Sequence, residues 1–188
     1  SVTTILSKTK VDSDGIKAWR ERVGEAEAQR IMKEAAERGS VMHEMLERYV
    51  HTNNFDTPAH DAPIAHKMAN LIISKGFIYL DEIWGVEQNI AYPNEYAGTM
   101  DCVGVYRKKP TILDFKQTNK PKREEWVEDY YLQLTAYICA HEKQYGKIDG
   151  GTILMASTGL VFQEFELSGS KLDEYKDKWW QRVEQFKT

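Results

Sequence analysis

Three residues in one short segment have the right types for hydrolytic chemistry. Residues 98 to 117 read Gly-Thr-Met-Asp-Cys-Val-Gly-Val-Tyr-Arg-Lys-Lys-Pro-Thr-Ile-Leu-Asp-Phe-Lys-Gln, with Asp101, Asp114 and Lys116 as the polar members of otherwise apolar runs. Two carboxylates and an ammonium converging from rigid strands can hold a hard divalent cation with a water beside it.

The elements that must position them follow from composition. Residues 99 to 106 and 111 to 116 are rich in β-branched, aromatic and aliphatic side chains and predict two strands, with a polar, Pro-containing break between them. A four-residue loop over Arg107 to Pro110 sets Tyr106 opposite Thr111 and Asp101 opposite Lys116. Alternation then brings Asp101, Asp114 and Lys116 to one face. A two-residue loop keeps that parity, and a three-residue loop breaks it. Met100, Cys102, Leu113 and Phe115 fall on the other face; Val103, Val105 and Ile112 share the face of the charges. An Asp-x-Lys alone fits an ordinary ion pair on a solvated strand. Charges on strands that are apolar on both sides are costly unless paired or metal-bound.

The chain has 188 residues, suiting one domain with a mainly helical N-terminal part (1–76) and a core over 77–188. An apolar fraction of 41% supports a real core, and no apolar run nears the roughly 18 residues that span a bilayer. No basic-then-apolar leader is evident at the N-terminus. The two cysteines, Cys102 and Cys139, sit in apolar patterns as free thiols, too few for a four-cysteine iron–sulfur or zinc site. An intracellular, reducing compartment is expected: the cytoplasm of a bacterial or phage-infected cell, or the mitochondrial matrix. Net charge is −4, which argues against a generally nucleic-acid-coated surface. Yet Arg107 to Arg123 hold seven basic residues against one acid, Asp114, a local strip that suits a polyanion groove. Lys120, Lys122 and Arg123 are its nucleic-acid-binding candidates.

Along the chain, Ser13 or Asp14 caps a helix running from Gly15 toward Arg38, and Gly39-Ser40 reads as a break and fresh cap. A second helix carries Met42, Met45, Leu46, Tyr49 and Val50. Residues 53 to 63 form a loop, and Ile64 to Lys75 a third helix ended by Gly76. Residues 77 to 92 give one or two strands, and the hairpin follows. A basic connector, Asn119 to Arg123, leads into a helix over Glu124 to Tyr145. Strands over 150–156 and 160–167 and a helix over 168–187 close the chain. The order implies an α/β fold with a mixed central sheet flanked by helices.

Other polar residues join the set. His43 and Glu47 are one turn apart on one helix face, as are Gln133 and Tyr137. Alone, each fits a surface pair or a core tyrosine, and Glu87 fits an outward-facing strand acid. In order, however, Gly39-x-x-x-His43-x-x-x-Glu47, Glu87, Gly98-x-x-Asp101, Asp114-x-Lys116 and Gln133-x-x-x-Tyr137 resemble the RecB-type branch of the PD-(D/E)xK nuclease superfamily. Ser1 to Leu6, Trp19-x-x-Arg22, Tyr96 to Cys102 and Lys120-Pro121-Lys122 are similar to its mitochondrial genome maintenance family and phage or bacterial relatives.

That resemblance implies a restriction-endonuclease-like αβββαβ core with an N-terminal helical extension. It implies Mg²⁺ or Mn²⁺ held by His43, Asp101, Asp114 and the Phe115 carbonyl, with Lys116 orienting or activating the attacking water and helping to neutralise the phosphate. Gln133 and Tyr137 then support the site, and Glu87 matches a recurrent strand acid. The expected activity is DNA exonuclease, on single strands with free ends. A structure-selective or duplex endonuclease and a catalytically silent DNA-binding subunit are the alternatives, and the intact Asp101, Asp114 and Lys116 argue against silence. The iron–sulfur subgroup is disfavoured by the cysteine count, and no Gly-x-x-x-x-Gly-Lys-Ser/Thr loop marks a motor.

Overall fold

The computed structural model describes residues 1–10, 14–52 and 63–188. Ser13, and all but the last residue of the loop expected over 53–63, lie outside them. Helices α1 (Val2–Thr9), α2 (Asp14–Val23), α3 (Glu25–Thr52) and α4 (Pro63–Lys75) precede a 3₁₀ turn, Phe77–Tyr79. Strands β1 (Leu80–Tyr92), β2 (Tyr96–Tyr106) and β3 (Lys109–Thr118) lead through a second 3₁₀ turn to α5 (Glu128–Gln144). Strands β4 (Gly150–Ser157) and β5 (Phe162–Ser168) and helix α6 (Gly169–Lys187) complete the described chain.

The five strands form one sheet in the order β1-β2-β3-β4-β5. All neighbours are antiparallel except β3 and β4, which are parallel because α5 crosses over between them. Two apolar layers cover the sheet. On one side Val103, Ile112 and Ile153 pack with α1, α5 and α6 through Val2, Leu134, Ile138 and Trp179. On the other, Cys102, Leu113, Phe115 and Leu154 pack with Met42 and Leu46 of α3 and Met68 and Ile72 of α4. The expected mixed sheet between helices is therefore present. Cys102 and Cys139 are buried free thiols.

Several sequence expectations need correction. Gly39-Ser40 does not break a helix; α3 runs unbroken through both. Ser40 bonds back to the Ala36 carbonyl (3.1 Å) instead of capping a new helix. The break lies at Gly24, whose φ of +88° only glycine adopts at low cost. The first helix, α1, was not expected; Ser1 caps it by accepting from the Thr4 amide.

The β2–β3 hairpin has a two-residue turn, Arg107-Lys108, not the four-residue loop expected. Both residues have positive φ (48° and 71°), the conformation whose twist matches the flanking strands. Pro110 lies within β3 opposite Val105, at a level that β4 has not yet reached, so its missing N–H breaks no ladder on that side. Arg107 is held by Glu164 (3.0 and 2.9 Å) and stacks over Tyr79 at 3.7 Å. Parity survives, but the partner changes. Cys102 pairs Leu113, so the next position sets Asp101 opposite Asp114, not Lys116.

Candidate metal-dependent active site

The regular pairing of β2 with β3 stops at Cys102 and Leu113. Beyond it, the Asp101 side chain takes over: Oδ2 accepts the Phe115 amide at 2.8 Å. From Asp101 back to Tyr96, β2 leaves β3 and pairs with β1 alone. Met100, expected on the Cys102 face, packs instead with Val2, Ile90 and Tyr137 in the α5 layer. The opening lets side chains from both faces of the sheet meet.

Across this opening three carboxylates stand in a row. Glu87 falls opposite Asp101 in the β1–β2 register, between the pairs Val86–Cys102 and Gln88–Met100. Asp114 falls opposite Asp101 on the other side. Glu87 has φ of +48°, an uncommon conformation for a side-chain-bearing residue, and leaves the regular pleat there. From α3, His43 reaches the row, its Nδ1 3.7 Å from Asp101 Oδ1. The potential ligand atoms of His43, Glu87 and Asp101 all lie within 4.8 Å of one another. Asp114 lies beside this group, 2% exposed, and its Oδ2 has no hydrogen bond among the described residues although Lys116 Nζ is 3.0 Å away.

Lys116 is held from three sides. It pairs Asp114, donates to Gln133 Oε1 at 2.8 Å and sits 4.8 Å over the Tyr130 ring. Gln133 in turn donates to the Tyr137 hydroxyl at 3.0 Å. Tyr137 reaches this depth because residue 98 is glycine: a Cβ there would lie 2.7 Å from Tyr137 Cε1.

The electrostatics agree with this crowding. Burial, then the charge and hydrogen bond of Asp114, push the Asp101 carboxyl well above its ordinary range. Burial, then Glu47 and Asp114, raise Glu87. Burial pushes the His43 ring below its usual value despite Asp114, leaving a neutral imidazole suited to ligation. Burial acts to lower Lys116, but Asp114 and Asp101 outweigh it and hold its pKa above the ordinary value. Burial pushes the Tyr137 hydroxyl up to about 12. Adjacent carboxylates, one with a buried oxygen that makes an ion pair but no hydrogen bond, and a neutral histidine are a donor set that fits a hard divalent cation.

The candidate residues thus fall into two groups. His43, Glu87, Asp101, Asp114, Lys116, Gln133 and Tyr137 come together, and the Phe115 backbone lies against the His43 ring. Lys120, Lys122 and Arg123 lie outside, in the connector after β3. The Lys122 backbone is fixed by Gln163 (2.9 and 2.7 Å), and Arg123 lies 5.3 Å from the centre of the exposed Trp126 ring. Tyr130 is not among the residues that the ordered motifs single out. Its place one turn before Gln133 on α5 was the sequence signal that it belongs beside Lys116.

No family model matches the chain. Among curated proteins it is similar to mitochondrial genome maintenance exonuclease 1. The mouse (Mus musculus) protein is 29% identical over 203 aligned residues, covering 99% of this chain and 58% of that protein. The Xenopus tropicalis protein is 31% identical over 100 residues, covering 50% of this chain and 28% of that protein. The chain therefore spans less than two thirds of the length of these relatives. A crystal structure of a candidate exonuclease from Eubacterium rectale shares the fold, with a TM-score of 0.55 at 16% identity over 80% of this chain and 64% of that one. The relatives bear out the resemblance read from the ordered motifs, to a nuclease of the RecB-like, PD-(D/E)xK type.

Proposed function

We propose that this chain is a Mg²⁺- or Mn²⁺-dependent DNA exonuclease that prefers single strands with free ends. The observation that carries the reading is the row Glu87, Asp101 and Asp114, with His43 on one side and Lys116 on the other. Similarity to proteins named as exonucleases supports the reaction class.

His43, Asp101, Asp114 and the Phe115 carbonyl, with Glu87 beside them, would hold the divalent cation, which would supply Lewis-acid polarisation of the phosphate. The chain's own residues supply the rest. Lys116, kept cationic by its carboxylates, faces the phosphate oxygen on which negative charge grows as water oxygen bonds to phosphorus. The attacking water releases a proton to solvent, the bond to the departing nucleotide's oxygen breaks, and that oxygen takes up a proton from solvent. Gln133 holds the Lys116 ammonium in place, and Tyr137 fixes the Gln133 amide. Lys120, Lys122 and Arg123 attract the entering backbone. A protein of this kind works in a reducing compartment, the cytoplasm or the mitochondrial matrix. No described helix is long and apolar enough to cross a membrane.

End-labelled linear single strands, duplexes and circular single strands, incubated with Mg²⁺, Mn²⁺ or chelator, test this reading. Metal-dependent loss of linear single strands, with circles spared, is expected. Equal rates on circles and linear strands would show an endonuclease instead. Tight DNA binding without cleavage in Mn²⁺ would show a silent binding subunit.

A further inference from the structure

We infer that Gln117, seated in a notch at Gly39 and clamped by Arg38, is a positioning residue. It sets the His43 ring against the carboxylates of β2 and β3, and so tunes metal affinity. The inference rests on the metal-dependent reading above.

The problem it solves is geometric. His43 stands on α3, whereas Asp101 and Asp114 stand on the sheet, so their spacing depends on how α3 seats on β3. Two contacts fix that seat. The His43 and Phe115 rings meet at 6.1 Å between centres. One turn earlier on α3, Gly39 faces Gln117, two residues further along β3. A Cβ on Gly39 would lie only 3.3 Å from Gln117 Cγ and Nε2. One helical turn advances about 5.4 Å and two strand residues about 6.7 Å, so the two elements match at both points. One contact would allow the helix to pivot about it; two hold both position and direction.

The second contact is polar and uses both ends of the Gln117 amide. Gln117 Nε2 donates to the Ala35 carbonyl at 3.0 Å, and Arg38 Nε donates to Gln117 Oε1 at 2.9 Å. Arg38 Nη2 extends the clamp to Asn119 Oδ1 at 2.5 Å. Gln117 adjoins Lys116 in sequence but faces the opposite side of β3, so it touches α3 and not the reacting groups. Groups hydrogen-bonded directly to a metal ligand typically change metal affinity by about 10–100-fold when removed; Gln117 acts one step further out, through the seat of the helix, so the low end applies.

The test uses the full chain, freed of metal and titrated with Mn²⁺, with unbound ion read by electron paramagnetic resonance. Thermal melts without metal run alongside. Gln117→Ala is expected to bind Mn²⁺ about tenfold more weakly. Gly39→Ala is the discriminating variant. Alanine favours the interior of α3 and so offsets what the displaced Gln117 costs: the melting temperature stays near wild type while Mn²⁺ affinity falls a few-fold. A merely structural contact moves stability and affinity in the same direction. Mn²⁺ affinity equal to wild type in either variant overturns the inference. A wild-type chain that takes up no Mn²⁺, like an Asp101→Asn control, overturns the metal-dependent reading itself and this inference with it.

Discussion

Asp101 replaces a rung of the β-ladder with its own side chain: the backbone pairing of β2 with β3 ends one residue before it, and its Oδ2 accepts the Phe115 amide at 2.8 Å. The carboxylate is thus a structural acceptor and a crowded charge at once. These roles separate by mutation. Asp101→Asn keeps an oxygen for the amide and removes a charge from beside Asp114. It should abolish cleavage yet raise the melting temperature of the metal-free protein. Asp101→Ala leaves the amide unpartnered and should cost about 1–3 kcal/mol. Melts of both variants in chelator check this; equal destabilisation by the two would refute it.

Lys116→Ala should reduce single-turnover cleavage by about 10²–10³-fold with DNA affinity little changed, because its charge acts on the transition state while many phosphate contacts share binding. Gln133→Ala, which only frees the ammonium, should lose less. A fully active Lys116→Ala protein contradicts the mechanism.

Neutralising Lys120 and Lys122 together should weaken single-strand binding and flatten the dependence of log affinity on log salt by about one to two units. Fluorescence anisotropy at several salt concentrations measures this slope. An unchanged slope places the strand elsewhere.

Far from the site, Glu164 joins β5 to the hairpin turn through Arg107 and the Tyr106 hydroxyl. Burial opposes its ionisation, but these hydrogen bonds outweigh it and hold its pKa below the ordinary carboxylate value. A depressed carboxylate contributes stability above its unfolded pKa and loses it as pH falls through the folded one. Glu164→Gln should therefore cost about 1 kcal/mol at neutral pH. The gap should close as pH drops below the ordinary carboxylate range. Denaturant titrations of both proteins across that range decide it.

Much of this was legible in residue types. Alternation put Asp101, Asp114 and Lys116 within reach of one another, and helical spacing paired Gln133 with Tyr137. The exact partner of Asp101 was not legible, because it depended on the turn length. Positive φ at Arg107 and Lys108, neither of them glycine, carries no local sequence mark. Gly39 misled for a related reason. Glycine signals both a helix end and a close approach, and only the position of Gln117 on a distant strand tells them apart. The turning of Met100 into the α5 layer follows from strand divergence, a tertiary effect that alternation cannot express.

The two apolar layers divide the candidate site between them. His43 belongs to a helix that packs on one side of the sheet, and Gln133 and Tyr137 to a helix that packs on the other. Neither layer alone can assemble the constellation. A nascent or partly melted chain, with only one layer consolidated, lacks part of the set. On the proposed reading, hydrolysis then requires both layers at once, so a chain with only one consolidated is expected to leave nucleic acid uncut. Residual cleavage during unfolding should vanish with the first layer lost, ahead of the last protected amides of the sheet.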